Sequence, residues 1–119
     1  MREIKFRGKR LDGKGWAFGH LVKMWGEWHI IDCDDKNTAY PVDPATVGQY
    51  TEQKDKNGKN IWEGDIVEWE NLMKTNMRSV IAYRDRMFCF VDANNEPEEI
   101  WCYSFTKIGN IYDNPELLE

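Results

Sequence analysis

Ile4 and Phe6 alternate with Lys5 and Arg7 in "EIKFR", a two-residue period that predicts a half-buried strand. The period returns in "WAFGHLVKM". Trp16, Phe18 and His20 fall on one side there, Ala17 and Leu21 on the other. The turn-rich "GKRLDGKG" separates these runs, and "WGEWHII" follows after a turn at Gly26. Together they predict a three-stranded antiparallel start, closed by the loop "DCDDKN". Pro41 and Pro44 exclude a central strand from "TAYPVDPATVGQYT". Asp43 before Pro44 is a capping side chain followed by Pro at the first turn, so a short helical turn is expected over 44–47, stopped by Gly48.

Beyond residue 50 the apolar runs are short and closely spaced. "IVEWE", "RSVIAYRD", "MFCFVD", "EIWCYSF" and "TKIGNIY" each predict a strand. "NLMKTNM" predicts a polar, mobile loop, and tight turns are expected near Asp85-Arg86 and in "ANNEPEE". Asn114 and Pro115 predict a final helical turn or frayed tail in "DNPELLE". A mainly β chain follows, built as a barrel or a sandwich. Residues 1–50 form an antiparallel unit with a short helical turn, 51–112 a compact β domain, and 113–119 a tail.

Composition refines this picture. A chain of 119 residues with 41% hydrophobic residues, six Trp, five Tyr and five Phe can bury an aromatic core. The net charge of -5 is unevenly placed. Arg2, Lys5, Arg7, Lys9, Arg10 and Lys14 crowd the first fourteen residues against Glu3 and Asp12. The last 28 residues carry seven acids against Lys107 alone. Two faces of opposite sign would favour self-association or an anionic partner. Three cysteines without CxxC spacing, Cys33, Cys89 and Cys102, fit no zinc pattern with His20 and His29 and predict free thiols in a reducing cytoplasm. No apolar leader or membrane-spanning run is expected.

The stretch "KDKNGKNIWEGDIVEW" tests the candidate chemistry. With Gly58 at the sixth position of a calcium loop, the twelfth is Gly64, so the bidentate acid is missing. Gly58-Lys59 is followed by Asn60 and lacks the upstream Gly of a phosphate loop. Hairpin chemistry accounts for the residues better: Asn57-Gly58 predicts a two-residue turn with both residues at positive φ, and Glu63-Gly64-Asp65 a second turn. His20 and His29 have no recognisable nucleophile motif around Ser79, Ser104 or the cysteines, so no enzyme, metal or cofactor is expected. Macromolecule binding has a better foundation. Arg2, Lys5, Arg7, Lys9 and Arg10 offer positive charge, and Trp25 and Trp28 offer aromatic faces. The overall acidity favours protein over nucleic acid as the partner.

"MREIKFRGKR", "VDPATVGQYTEQKDKNGKNIWEGDIVEW" and "IGNIYDNPELLE", in this order, resemble the YopX family of phage and prophage proteins. The family usually carries Gly after "GQYT", where this chain has Glu52. The resemblance implies an SH3-type barrel in the second domain, with "EGDIV" resembling the entry strand of such barrels. It also implies a phage origin and the cytoplasm of a bacterial host, and supplies no catalytic residue or cofactor. The resulting expectation is a non-enzymatic accessory protein that binds a host or phage macromolecule, with a homo-oligomer compatible with its strand edges and charged ends. The alternative is a nucleic-acid-binding β module using the basic N-terminal strand.

Overall fold

In the computed structural model, which describes residues 4–84, 87–91, 97, 98 and 104–118, the chain is mainly β. It divides into two units, Met1–Tyr50 and Thr51–Glu119.

In the first unit, β1 (Phe6–Lys9), β2 (Trp16–Met24), β3 (Glu27–Asp32) and β4 (Ala39–Pro41) follow one another as antiparallel neighbours, and the start of β5 (Gly48–Lys54) pairs with the other side of β1. Alternation decides the faces. Phe6, Gly8, Ala17, Leu21 and Ile30 share one, and Ala17, Ile30 and Val42 form its buried centre. Arg7, Lys9, Trp16 and Phe18 share the other. Gly8 leaves room for this centre, because a Cβ there would lie 3.1 Å from that of Val42. Gly19 is more tightly fixed. Its φ is 153°, and a Cβ would fall 1.8 Å from the Ile31 carbonyl oxygen.

Pro41 lies on the short edge strand β4, where its missing N–H does least harm. The expected helical turn is a 3-10 turn at Pro44–Thr46, with Asp43 Oδ1 accepting from Ala45 N at 3.0 Å. Thr46 then fastens it to β1, its Oγ1 accepting from Lys9 N at 2.8 Å.

The second unit contains β6 (Asn60–Trp62), β7 (Asp65–Glu70), β8 (Asn76–Arg84), β9 (Met87–Val91), β10 (Pro97–Glu98) and β11 (Phe105–Asn110). The last five form an antiparallel sheet in the order β10-β9-β8-β7-β11. Among the described residues this sheet is open, with β10 and β11 at its edges, so the closed barrel implied by the resemblance is not seen. Its core is aromatic. Trp69 stacks on Phe90 with centroids 5.3 Å apart, and Phe90 meets Phe105 edge-on at 5.5 Å. Ser79 Oγ accepts the Trp69 indole N–H at 3.0 Å, which satisfies a polar atom inside that core.

Two loops differ from expectation. Asn57 is not at positive φ; Gly58 alone is, at 81°. Gly58 N donates to Asp55 O, and Asp55 N to Lys59 O. The loop is therefore three residues long, a turn over Lys56-Asn57 followed by a left-handed Gly, rather than a two-residue hairpin on Asn57-Gly58. Asp55 selects it by capping the N–H groups of Asn57 and Lys59, both at 2.9 Å. Similarly, "NLMKT" is a hydrogen-bonded hairpin tip. Asn71 Oδ1 accepts from Met73 N and Thr75 N, while Asn71 N and O pair with Thr75 O and Lys74 N. An Asn side chain that reaches back to its own loop gives this stretch its hydrogen-bonded turn. The Asp85-Arg86 turn, most of "ANNEPEE", the start of "EIWCYSF" and Cys102 lie outside the described residues.

Candidate interaction surfaces

The basic residues of the N-terminal strand do not stand as an open row of charges. The Arg7 side chain is buried, with its guanidinium 4.5 Å from the Trp16 ring centroid. Lys9 Nζ reaches the same ring at 5.9 Å. Arg10 lies 3.9 Å over Tyr40 and pairs with Asp12. Lys5 is half-buried, and its carbonyl accepts from Tyr50 N. Arg2 lies outside the described residues. Arg7, Lys9 and Arg10, charges expected to meet phosphate, are therefore each engaged by a ring of their own chain. Spacing missed this. The pairs are made across strands, between residues seven to thirty positions apart, and only the register brings them together.

The aromatic half of the predicted set lies elsewhere. Trp25 and Gly26 form the β2–β3 hairpin tip, at φ 52° and 78°. Two successive left-handed residues suit the twist of a hairpin, and Asn-Gly is the usual choice because a bulky side chain resists that conformation. Trp25 is nevertheless there, 89% exposed. Its ring meets His29 edge-on at 6.0 Å. Trp28 is 37% exposed, with Lys23 Nζ 5.7 Å from its ring. Phe18, the partner of Arg7 on β2, is seven residues from Trp25, roughly 23 Å along an extended strand. The structure therefore separates the sequence-predicted set: Arg7 and Lys9 belong to one patch, Arg10 to another, Trp25 lies at the hairpin tip against His29, and Trp28 is on the opposite face of β3 beside Lys23.

The catalytic candidates have structural surroundings. His29 is buried, with Nδ1 3.0 Å from the Glu27 carbonyl oxygen. Ser79 is occupied by Trp69. Cys33 is exposed and Cys89 buried, both as free thiols. Cys33 approaches Asp32 and Asp34, with ligand atoms within 4.8 Å, on an exposed bend where Asp32 Oδ1 already accepts from Asp34 N. His20 and His29 are not in that group.

The second unit has a web centred on β11. Asp55 Oδ2 accepts from Lys107 N at 2.9 Å, Lys56 N donates to Phe105 O, and Ile111 N donates to Gly64 O. Asp65 is fully buried; its Oδ2 accepts from Trp62 N at 2.7 Å and lies 3.2 Å from Lys107 Nζ. Burial pushes the Asp55 carboxyl up, but the N–H groups of Lys107, Lys59 and Asn57 and the charge of Lys59 outweigh it and hold the pKa below its ordinary value. Asn110 finishes the web, its Oδ1 accepting from Tyr112 N and Asp113 N. "DKNGK", "EGDIV" and "GNIYDN" are thus three parts of one hydrogen-bonded arrangement. A cavity of about 510 Å³ also lies in this unit, between the outer face of β8 and the C-terminal segment.

A family model described as YopX protein matches residues 5–119. The chain belongs to the YopX family. The "EGDIV" and "GNIYDN" segments that carry the resemblance in this YopX chain are the ones that meet at β11. No curated protein matches it. The crystal structure of protein EF1440 from Enterococcus faecalis is similar over 100% of both chains, with a TM-score of 0.63 and 23% sequence identity. That likeness shows the fold. Among the described residues no helix is long and apolar enough to cross a membrane.

Proposed function

We propose that this YopX-family chain is a non-enzymatic phage accessory protein that binds a protein partner in the cytoplasm of the host bacterium, with the β2–β3 hairpin tip as its contact. The observation that carries the reading is Trp25, 89% exposed in a left-handed conformation at φ 52°. A side chain with a β-carbon costs about 1–2 kcal/mol in that conformation, and an Asn there would cost less. A large ring displayed at such a position is suited to fill a partner's pocket, as tryptophans do in protein interfaces. Family membership supports the phage setting. The engagement of Arg7 and Arg10 with rings of the same chain weighs against a phosphate-binding strand.

Trp25→Asn is the deciding variant, because Asn-Gly preserves the turn and removes the ring. Immobilised wild-type chain should retain a host or phage protein that the variant loses, while the variant's thermal stability is equal or higher. Equal retention by both, or turnover of a nucleotide or sugar by the purified chain, would overturn the reading. Salt-sensitive capture of single-stranded DNA by both would move it to the basic strand.

A further inference from the structure

Leu72 and Met73 at the β7–β8 tip are 90% and 85% exposed, adjacent in sequence and both apolar. The loop presenting them is braced by its own hydrogen bonds. Asn71 takes part in four of 2.9–3.0 Å across it, and Lys74 closes it at φ 61°. A tip braced in this way loses less freedom on binding than an unbraced loop would. Glu70 and Lys74 place opposite charges on either side of it.

The same unit carries a receptor of matching character. The cavity of about 510 Å³ is walled by Val80, Ala82, Val91, Ile111 and Leu118, and Glu63 and Arg84 bring the two charge signs to its lining. Arg84 and Leu118 are exposed, so the space reaches the surface. Its size lies in the range of pockets that enclose drug-sized ligands, ample for two aliphatic side chains. The tip adjoins the Asn76 end of β8 and the cavity its Arg84 end, roughly 20–25 Å along the strand. A tip therefore cannot fill the cavity of its own chain.

We propose that the Leu72–Met73 tip of one copy seats in the β8 cavity of a second copy, with Lys74 towards Glu63 and Glu70 towards Arg84. The contact joins different surfaces of the two copies, so it either closes reciprocally or adds copies head to tail.

Light scattering after size exclusion, over a concentration series of the full chain, tests this. Wild type should self-associate. Leu72→Asp/Met73→Asp and, separately, Leu118→Asp should each weaken association by about a hundredfold or more, the effect of withholding two buried apolar side chains. Unchanged circular dichroism and unfolding midpoints would establish that both variants fold. A mixture of the two retains one intact tip and one intact cavity, so it should form a one-to-one heterodimer. A wild type that stays monomeric at its solubility limit overturns the proposal. So does association of the tip variant at wild-type strength, or a mixture that remains monomeric.

Discussion

Glu52 lies in β5 at φ 67°, in the position where the YopX pattern usually has Gly. Replacing it by Gly is expected to stabilise the second unit. A β-carbon in left-handed backbone costs about 1–2 kcal/mol, whereas Gly adopts it freely. Against this, Gly gains about 0.5–1 kcal/mol of freedom in the unfolded chain. The net expectation is a gain of about 0.5–1 kcal/mol. Glu52→Gly also deletes the Glu52 carboxylate and its methylene arm. Glu52→Ala deletes the carboxylate and keeps the β-carbon, so the difference between Gly and Ala isolates the backbone effect. Urea unfolding followed by circular dichroism gives both midpoints at constant slope. Gly should exceed Ala by about 1 kcal/mol, or about 4–8 °C in Tm for a unit of this size. A Gly variant no more stable than the Ala variant would refute the strain at residue 52.

Lys107→Met should destabilise the chain by about 3–5 kcal/mol in urea, because it leaves the fully buried Asp65 carboxylate without its cation 3.2 Å away. Asp55 has a depressed folded pKa, so its stabilisation is complete above its unfolded value of about 3.9 and is lost as pH falls through the lower folded value. Asp55→Asn should cost about 1.5–3 kcal/mol at neutral pH and flatten the acid limb of a stability–pH curve; an unchanged acid limb would contradict it. Gly19→Ala should unfold or strongly destabilise the first unit, since its Cβ would fall 1.8 Å from a backbone oxygen; a variant with native hydrogen-exchange protection in β2 and β3 would show that the backbone yields.

Legibility from sequence followed the range of the interactions involved. β2 runs from Trp16 to Met24 as its alternation predicts, and the turn at Pro44 follows from Asp43 and the ring constraint, both local. The Asn57-Gly58 pair located a loop correctly but mistook its type, because Asp55 contributes a side-chain cap that dipeptide preferences do not contain. "NLMKT" looks irregular by period, yet one Asn gives it a hydrogen-bonded turn. The surroundings of the candidate interaction residues were the least legible. Arg7 and Trp16 are nine positions apart and meet only through strand register. Trp25 was found as an exposed ring; its unusual backbone has no signature except the Gly that follows.

The β11 web carries a consequence for the order of synthesis. Asp55, Gly64 and Asp65 leave the ribosome well before their partners, the Lys107 N–H and ammonium and the Ile111 N–H. Until those residues emerge, Asp65 has no cation and the N–H groups that suppress protonation of Asp55 are incomplete. The second unit is therefore locked from its C-terminal side, and a nascent chain halted before Lys107 holds the 55–70 hairpins without their closing strand.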